Sequence, residues 1–326
     1  MTPLEKISGL ESKNIPTGCV LTIGNFDGVH LGHQEIIHAA AEMASRNATK
    51  LVVMTFDPHP LAVIHPDRSP GILTPPALKH QLFSDLGVDC HVVLKATRET
   101  LSLSAEDFVR RFLVEAIRPL AVVEGEDFNF GAGRAGSVQT LLDMAPHHDF
   151  EVLVVPAKKI DIPDGQTVRV SSTMIRYMLG SGRVADAAMA LGRPYRLIGQ
   201  ICPGRGRGKQ LGFPTLNMKR PDQLLPAEGV YAGYVQLADD PEDLCRVAGA
   251  VPAVFSLGQA RTFGDEHPPL IEAHALAENG DRLKGRSMAM DFVRRLRSQH
   301  KFASPEQLTR QIKRDCEKAR NILGAP

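Results

Sequence analysis

Short, continuous apolar runs alternate with helical patterns through the first half of this chain, and then the alternation stops. The runs are CVLTIG (19–24), LVVMTF (51–56), CHVVL (90–94), LAVVE (120–124) and EVLVV (151–155). Runs without polar alternation suit strands covered on both faces, as in a parallel sheet. Between them, Ile36, Ile37, Ala40, Met43 and Ala44 recur at helical spacing over 33–46. Ser104, with Asp107 three residues on, opens a helix over 105–117 whose Val109, Phe112, Leu113, Ala116 and Ile117 form one stripe. This alternation predicts a doubly wound, Rossmann-like α/β domain. Two short helices near 172–180 and 183–191 close it, and Gly192-Arg193-Pro194 stops the second. From Tyr195 strand-like pieces follow one another with Gly and Pro turns: YRLIGQI, GVYAGYVQLA, VAGAVPAVFSLG, LIEAHALA and SMAMDFVRRL. They predict an antiparallel β-barrel or sandwich. A C-terminal helix runs from Pro305 to about Leu323, with Ser304 as N-cap, Gln307 completing a capping box, and a stripe of Leu308, Ile312, Cys316, Ala319 and Leu323. The expected domains are 1–190 and 191–326.

Composition narrows the partners. A chain of 326 residues suits two domains, and 43% apolar content is enough for two cores. The net charge of +1 gives no basic field for nucleic acid, and the absence of Trp removes the usual stacking platform for single strands. Cys19, Cys90, Cys202, Cys245 and Cys316 are scattered without a CxxC pair, which fits a reducing cytoplasm. The start, MTPLEKISGLESKN, has acidic residues and no apolar core, unlike a signal peptide. No apolar run approaches a membrane span, so neither membrane nor nucleic acid is expected as a partner.

The first strand-to-helix change carries TIGNFDGVHLGH (22–33). In an open α/β sheet, ligands bind beyond the carboxyl ends of the strands. Free N–H groups at a helix start favour phosphate there, and Gly28 and Gly32 would let a nucleotide approach the backbone. His30 and His33 can donate to phosphate oxygens and stabilise charge growing on an α-phosphate and its leaving group. A bare H-x-x-H pair reads equally as one helix cap and one exposed imidazole. Zinc would need a third ligand, and none stands at a suitable spacing.

Three other stretches admit two readings each. GAGRAG (131–136) matches G-x-G-x-x-G, with Glu151 twenty residues beyond Gly131. A dinucleotide site should follow the first strand directly, however, and its acid should close a strand rather than open one. Ser171, Ser172, Thr173 and Arg176 suit oxyanions, although Ser and Thr also serve as plain N-caps. In PGRGRGKQLGFPTLN (203–217), Gly204, Gly206 and Gly208 permit a backbone cradle for phosphates. This is not a Walker motif, because Gln210 stands where Ser or Thr is required. The other reading is a flexible basic loop that contacts RNA, against which the near-neutral overall charge counts.

GNFDGVHLGH resembles the G-x-F-D-G-x-H-x-G-H signature of the nucleotidylyltransferases called FAD synthetases. TFDPHP (55–60), GEDFNFG (125–131), VSSTMIRYMLGSGRV (170–184) and LGRPY (191–195) resemble further motifs of that family, in its order. LGFPTLN (211–217) resembles the riboflavin kinase motif G-F-P-T-A-N, and GVYAG (229–233), IEAH (271–274) and RLRSQHKF (295–302) follow in order. The resemblance covers nearly the whole chain. It points to the bacterial bifunctional riboflavin kinase/FAD synthetase family.

The resemblance implies two Mg²⁺-dependent steps with ATP as co-substrate: riboflavin to FMN in the barrel, then FMN to FAD with release of pyrophosphate in the α/β domain. It implies that His30 and His33 contact the triphosphate and that Phe26, Asp27 and Gly28 shape the adenosine pocket. Ser171, Ser172, Thr173 and Arg176 would hold phosphates. Pro58, His59 and Pro60 would line the flavin side, with Asp127 and Asn129 as flavin or metal contacts. In the barrel, Gly204, Gly206 and Gly208 would cradle phosphate, Thr215 and Asn217 would hold Mg²⁺ and phosphate, and Glu272 would be the catalytic base. Departures cluster in the second half: Leu216 replaces Ala, SLGQARTF (256–263) lacks the Asn and Pro of N-x-G-x-x-P-T, and AENGDRLKG (277–285) lacks an aspartate–aromatic pair and a Tyr. They leave room for an adenylyltransferase with a kinase-weak, flavin-binding barrel. An RNA- or flavin-binding regulator is the reading from another class.

Overall fold

The computed structural model describes residues 4–9, 14–204, 208, 211–258, 270–276 and 285–325. They form two compact units. The first comprises Met1–Pro70, Lys79–Ile160 and Thr167–Val170, and the second Gly71–Leu78, Asp161–Gln166 and Ser171–Pro326.

In the first unit, β1 (Glu5–Ser8), β2 (Val20–Ile23), β3 (Leu51–Asp57), β4 (Cys90–Lys95) and β5 (Ala121–Gly125) precede a hairpin of β6 (Asn129–Phe130) and β7 (Gly136–Ser137), and β8 (Glu151–Val155) follows. Six of these make one sheet in the order β1-β4-β3-β2-β5-β8, with every pairing parallel. From β2 the chain steps outward to β3 and β4, then crosses back to β5 and β8 on the other side. The reversal falls between β2 and β5.

The continuous apolar runs have a direct cause. Leu21, Ile23, Val52, Met54 and Val122 face one layer, with Phe108, Phe112, Leu113 and Ile117. Val20, Leu51, Val53, Ala121 and Val123 face the other, with Ile37, Ala40, Ala44 and Phe83. Neighbouring residues of one strand thus enter opposite cores. The helix Leu31–Arg46 supplies the second layer. The expected helix over 105–117 is Ala105–Phe108 continued as a π-helix, Val109–Ile117; Val109, Phe112, Leu113 and Ile117 of its stripe are buried and Ala116 is partly buried. Strand β1 gave no apolar run, because only Ile7 of EKIS is buried. GAGRAG is the turn of the β6–β7 hairpin and not a strand-to-helix turn, which removes the dinucleotide reading.

The second unit follows the short strands β9 (Lys159–Asp161) and β10 (Thr167–Arg169). Its strands are β11 (Tyr195–Cys202), β12 (Leu216–Met218), β13 (Gly229–Ala238), β14 (Val251–Gly258), β15 (Leu270–Ala275) and β16 (Ser287–Arg297). They close as a barrel, β11-β12-β15-β14-β13-β16, so the choice between barrel and sandwich is decided. Register shifts between Val230/Tyr231 and Ala232/Gly233 bend the β13–β16 ladder as closure requires. Tyr231 and Phe255 pack edge-on against Phe292.

The helix Pro305–Leu323 buries Cys316 and Ala319 against Val230, Ala232 and Val254. Arg297 grips Asp315 of that helix with Nε at 3.0 Å and Nη2 at 2.8 Å. Ser304 caps it, but Gln307 Oε1 accepts from the Ala303 N–H, one residue before the expected partner. Residues 171–190, which periodicity assigns to the first half, pack with the second unit: the helix Val184–Leu191 lies on β16 and β11.

Candidate active sites

Three motif loops leave the carboxyl ends of adjacent parallel strands. GNFDGVH follows β2, DPHP ends β3, and GEDFNFG ends β5. The first lies at the point where the strand order reverses, which is where open α/β sheets bind ligands.

His30 is the N-cap of the helix Leu31–Arg46, and its Nδ1 accepts the His33 N–H at 3.2 Å. An accepting Nδ1 makes Nε2 the protonated nitrogen of the neutral ring, hence a donor. The two imidazoles stack, with centroids 3.5 Å apart and planes 16° apart. One half of the cap-plus-exposed alternative therefore holds and the other does not: His30 caps, but it is 5% exposed and His33 is half-buried. A side chain at residue 32 would press on the His30 ring at 3.3 Å, so Gly32 is needed for close approach. The helix has no acidic side chain in its first turn, which leaves its positive end open to anions.

The turn that delivers these rings is strained. Phe26 has φ +46°, Gly28 +94° and Val29 +41°. For Phe and Val such angles cost about 1–3 kcal/mol each. Burial holds them: Phe26 packs edge-on against His33 and Phe83 with centroids at 5.0 and 5.6 Å, and Val29 is fully buried. Phe26 is 3% exposed, so its ring acts as a support beneath His33.

Sequence reading passed over Glu124, which ends β5 beside β2. Its Oε1 accepts the Ile23 N–H at 2.5 Å, and it is 2% exposed. Burial, partly offset by that N–H, pushes its carboxyl well above the ordinary 4.5. The folded protein keeps a proton that the unfolded chain releases above pH 4.5, so stability falls as pH rises from there towards the folded value. Glu124→Gln keeps the acceptor and has no proton to lose. Its melting temperature relative to wild type should climb as pH rises above 4.5 in thermal scans.

The remaining residues predicted for this reaction take structural positions of their own. The Asp57–Pro58 peptide is cis; His59 caps the helix Pro60–Ile64, with Nδ1 accepting from Leu61 N–H at 3.2 Å. Asp127 pairs with Arg169 at 2.8 Å, and the exposed Asn129 donates to the Asp127 carbonyl. Asp27 is buried. In the second unit, Ser171 caps the helix Ser172–Gly180 by accepting from Met174 N–H, Thr173 is exposed, and Arg176 Nε donates to the Gly71 carbonyl at 2.9 Å.

In the barrel, register brings distant residues together. Strands β12 and β15 pair antiparallel with Asn217 opposite Glu272, and Ser256 of β14 faces Glu272 from the other side. Directly opposed residues share a face and touch. Of the glycines expected to form a cradle, Gly204 lies against Asn217 of this row and Gly208 against the Phe213–Thr215 turn before it. A Cβ on Gly204 would fall on the Asn217 carboxamide, and one on Gly208 would meet the Phe213 carbonyl and, at 3.1 Å, Thr215 Oγ1. Gly206 lies outside the described residues, as do 259–269 and 277–284, which carry most of the departures. His274 Nδ1 lies 2.8 Å from the Pro214 carbonyl, tying β15 to the GFPT turn. If Asn217 holds phosphate and metal as the resemblance implies, Gly204→Ala should slow riboflavin phosphorylation about fivefold or more by displacing it, since overpacking costs about 1–3 kcal/mol. FMN-to-FAD conversion by the same preparation should be unchanged.

Comparison with known proteins agrees with both units. A family model described as FAD synthetase matches residues 12–174, and one described as riboflavin kinase matches 191–323. The bifunctional riboflavin kinase/FMN adenylyltransferase of Escherichia coli K12 is 34% identical over 313 residues, covering 94% of this chain and 93% of the relative. The protein of that description from Bacillus subtilis 168 is 31% identical, covering 92% and 91%. A crystal structure from Streptococcus pneumoniae, described as a macrolide-efflux protein, superposes with TM-score 0.82 at 28% identity over 98% of this chain and 99% of its own. Its description concerns export, but no described helix of this chain is long and apolar enough to cross a membrane. Two family matches in tandem and full-length relatives above 30% identity lead to one conclusion: the chain belongs to the bifunctional riboflavin kinase/FMN adenylyltransferase family.

Proposed function

We infer that the chain makes FAD in two ATP-dependent steps, phosphorylating riboflavin to FMN in the barrel and adenylating FMN in the parallel-sheet unit. The adenylyltransferase activity is assigned to the span matched as FAD synthetase, residues 12–174, and the kinase activity to the span matched as riboflavin kinase, residues 191–323. The observation that carries the reading is the match of motif to element. The paired imidazoles stand at the switch point and helix start, while Asn217 and Glu272 stand side by side against a glycine cradle.

In adenylyl transfer, an FMN phosphate oxygen attacks the α-phosphorus of ATP, and the bond to the β-phosphate oxygen breaks. Little covalent chemistry is asked of the protein, so positioning and charge stabilisation dominate. His30 Nε2–H, His33 and the amides of the helix start serve the oxyanions. Ser171, Ser172, Thr173 and Arg176 are the proposed phosphate ligands of the S-S-T-x-x-R motif. Asp27 and Gly28 belong to the nucleotide pocket, and Pro58, His59, Pro60, Asp127 and Asn129 to the flavin side. In the kinase step, Glu272 takes the proton of the ribityl 5′-hydroxyl as its oxygen attacks the γ-phosphorus, and ADP leaves.

Mg²⁺ fits the barrel: hard cations take oxygen ligands and share phosphates, and Thr215 Oγ1 and the Asn217 side chain border the glycine cradle. When bound there it neutralises phosphate charge. Near-neutral net charge favours small-molecule substrates over nucleic acid, and unpaired cysteine spacing fits the cytoplasm.

Pure protein incubated with riboflavin, ATP and Mg²⁺ should yield FMN and then FAD on chromatography. FMN alone would remove the adenylyltransferase. No FMN at any riboflavin concentration, with FAD formed from added FMN, would favour the reading in which departures at 259–261 and 277–285 have disabled the barrel.

A further inference from the structure

One half-buried cation in the first unit has no place in the mechanism above. Lys79 lies on the helix Pro76–Asp85, and its Nζ donates to the Asn25 carbonyl at 2.7 Å. Asn25 is the residue just before the strained Phe26–Val29 turn. The charges acting favourably on the ammonium belong to Asp27, inside that turn, and Asp57, at the end of β3. Burial of the lysine opposes its charge and lowers its pKa. One helical turn further on, Phe83 meets Phe26 edge-on, so a single face of the helix holds both the backbone and the side chain of the turn.

Even half-buried, the ammonium is partly desolvated, and that is costly unless a hydrogen bond and nearby opposite charges offset it. Packing alone therefore does not explain a lysine here. The turn does. Phe26 and Val29 occupy a backbone region that relaxes unless its surroundings over-determine it, and the turn aims His30 and His33. A point charge anchored on Asn25 and drawn by carboxylates from two loops resists that relaxation at its first residue. The same lysine hydrogen-bonds the loop after β2 and feels the charge of Asp57 at the end of β3, next to the segment assigned to the flavin.

We propose that Lys79 is a positioning residue for adenylyl transfer, whose ammonium fixes the Asn25–Val29 turn so that His30 and His33 meet the transition state. The proposal rests on the adenylyltransferase reading of the first unit. Lys79 acts through the turn and touches no reacting atom.

The test uses the full chain as wild type, Lys79→Gln and Lys79→Arg. Gln keeps a donor for Asn25 without charge, and Arg keeps the charge. Steady-state FMN adenylation and riboflavin phosphorylation are measured on each, with circular dichroism as the check of folding. Contacts made only in the transition state affect kcat rather than uniform binding. The expected result for Lys79→Gln is at least a tenfold fall in kcat for FAD formation, KM for FMN within about twofold of wild type, and unchanged riboflavin phosphorylation. Lys79→Arg should recover most of kcat. Normal kcat in Lys79→Gln overturns the proposal. So does a rise in KM alone, a folded Lys79→Arg as slow as Lys79→Gln, or loss of the folded state in Lys79→Gln, which would make the lysine a stability residue. Wild type that forms no FAD from FMN defeats the adenylyltransferase reading itself, a failure distinguishable from all of these.

Discussion

Replacing His30 or His33 with alanine should cut FAD formation from FMN by about 10²–10³-fold, the effect of losing one transition-state donor worth about 2.7–4 kcal/mol. Riboflavin phosphorylation should survive in the same preparation, because the phosphate cradle and base proposed for it lie in the barrel. His30 needs a second variant, since its Nδ1 also caps the helix Leu31–Arg46. Removing a cap costs about 1 kcal/mol of stability. His30→Asn supplies a good capping side chain but cannot reach as far as Nε2. If capping were the whole role, His30→Asn would be active; if the imidazole serves the phosphates, it should be as slow as His30→Ala while melting near wild type. Parallel loss of both activities in a folded variant would remove the histidines from the adenylyl step.

Glu272→Gln should abolish most riboflavin phosphorylation, by about 10²–10⁴-fold, the usual range for a general base. Gln is isosteric and can still accept from neighbours in the row Asn217–Glu272–Ser256, so the strand pairing should persist. FMN-to-FAD conversion then acts as the internal control. Asn217 and Glu272 are adjacent only through the β12–β15 ladder, so Asn217→Ala should also be kinase-deficient, though for loss of metal and phosphate binding rather than of a base. A Glu272→Gln enzyme with ordinary kinase turnover would take the carboxylate out of the reaction.

Much of this was legible because burial leaves a periodic trace. Strands covered on both faces wrote continuous apolar runs, and the helices over 31–46, 105–117 and 305–323 wrote stripes. Three features left no such trace. Strand β1 buries only Ile7, and β12 is three residues after a proline, too short for any period. Residues 171–190 read as the end of the first half, because helical spacing shows that a face is buried but not against which partner.

For the sites, His30 and His33 stood out by their place at a strand-to-helix change, while Thr215, Asn217 and Glu272 were candidates only through the motif resemblance. The sequence could not show that His30 caps its own helix, that the two imidazoles stack, or that Phe26 and Val29 are strained. Each depends on backbone angles set by a core assembled from both neighbouring strands and the covering helix. Glu124 and Lys79 were invisible for a related reason. A lone Glu closing an apolar run and a lone Lys in a helix look like solvated charges. Only the strand order, which sets β5 beside β2, shows the Glu124 carboxyl on the Ile23 amide, and only helix packing carries Lys79 to Asn25. Motifs and their resemblance to a family therefore pointed to the chemistry, and hydrophobic periodicity to the order of the elements. Long-range pairing decided which side chains meet, because sequence separation carries no information about register or packing partner until the core closes.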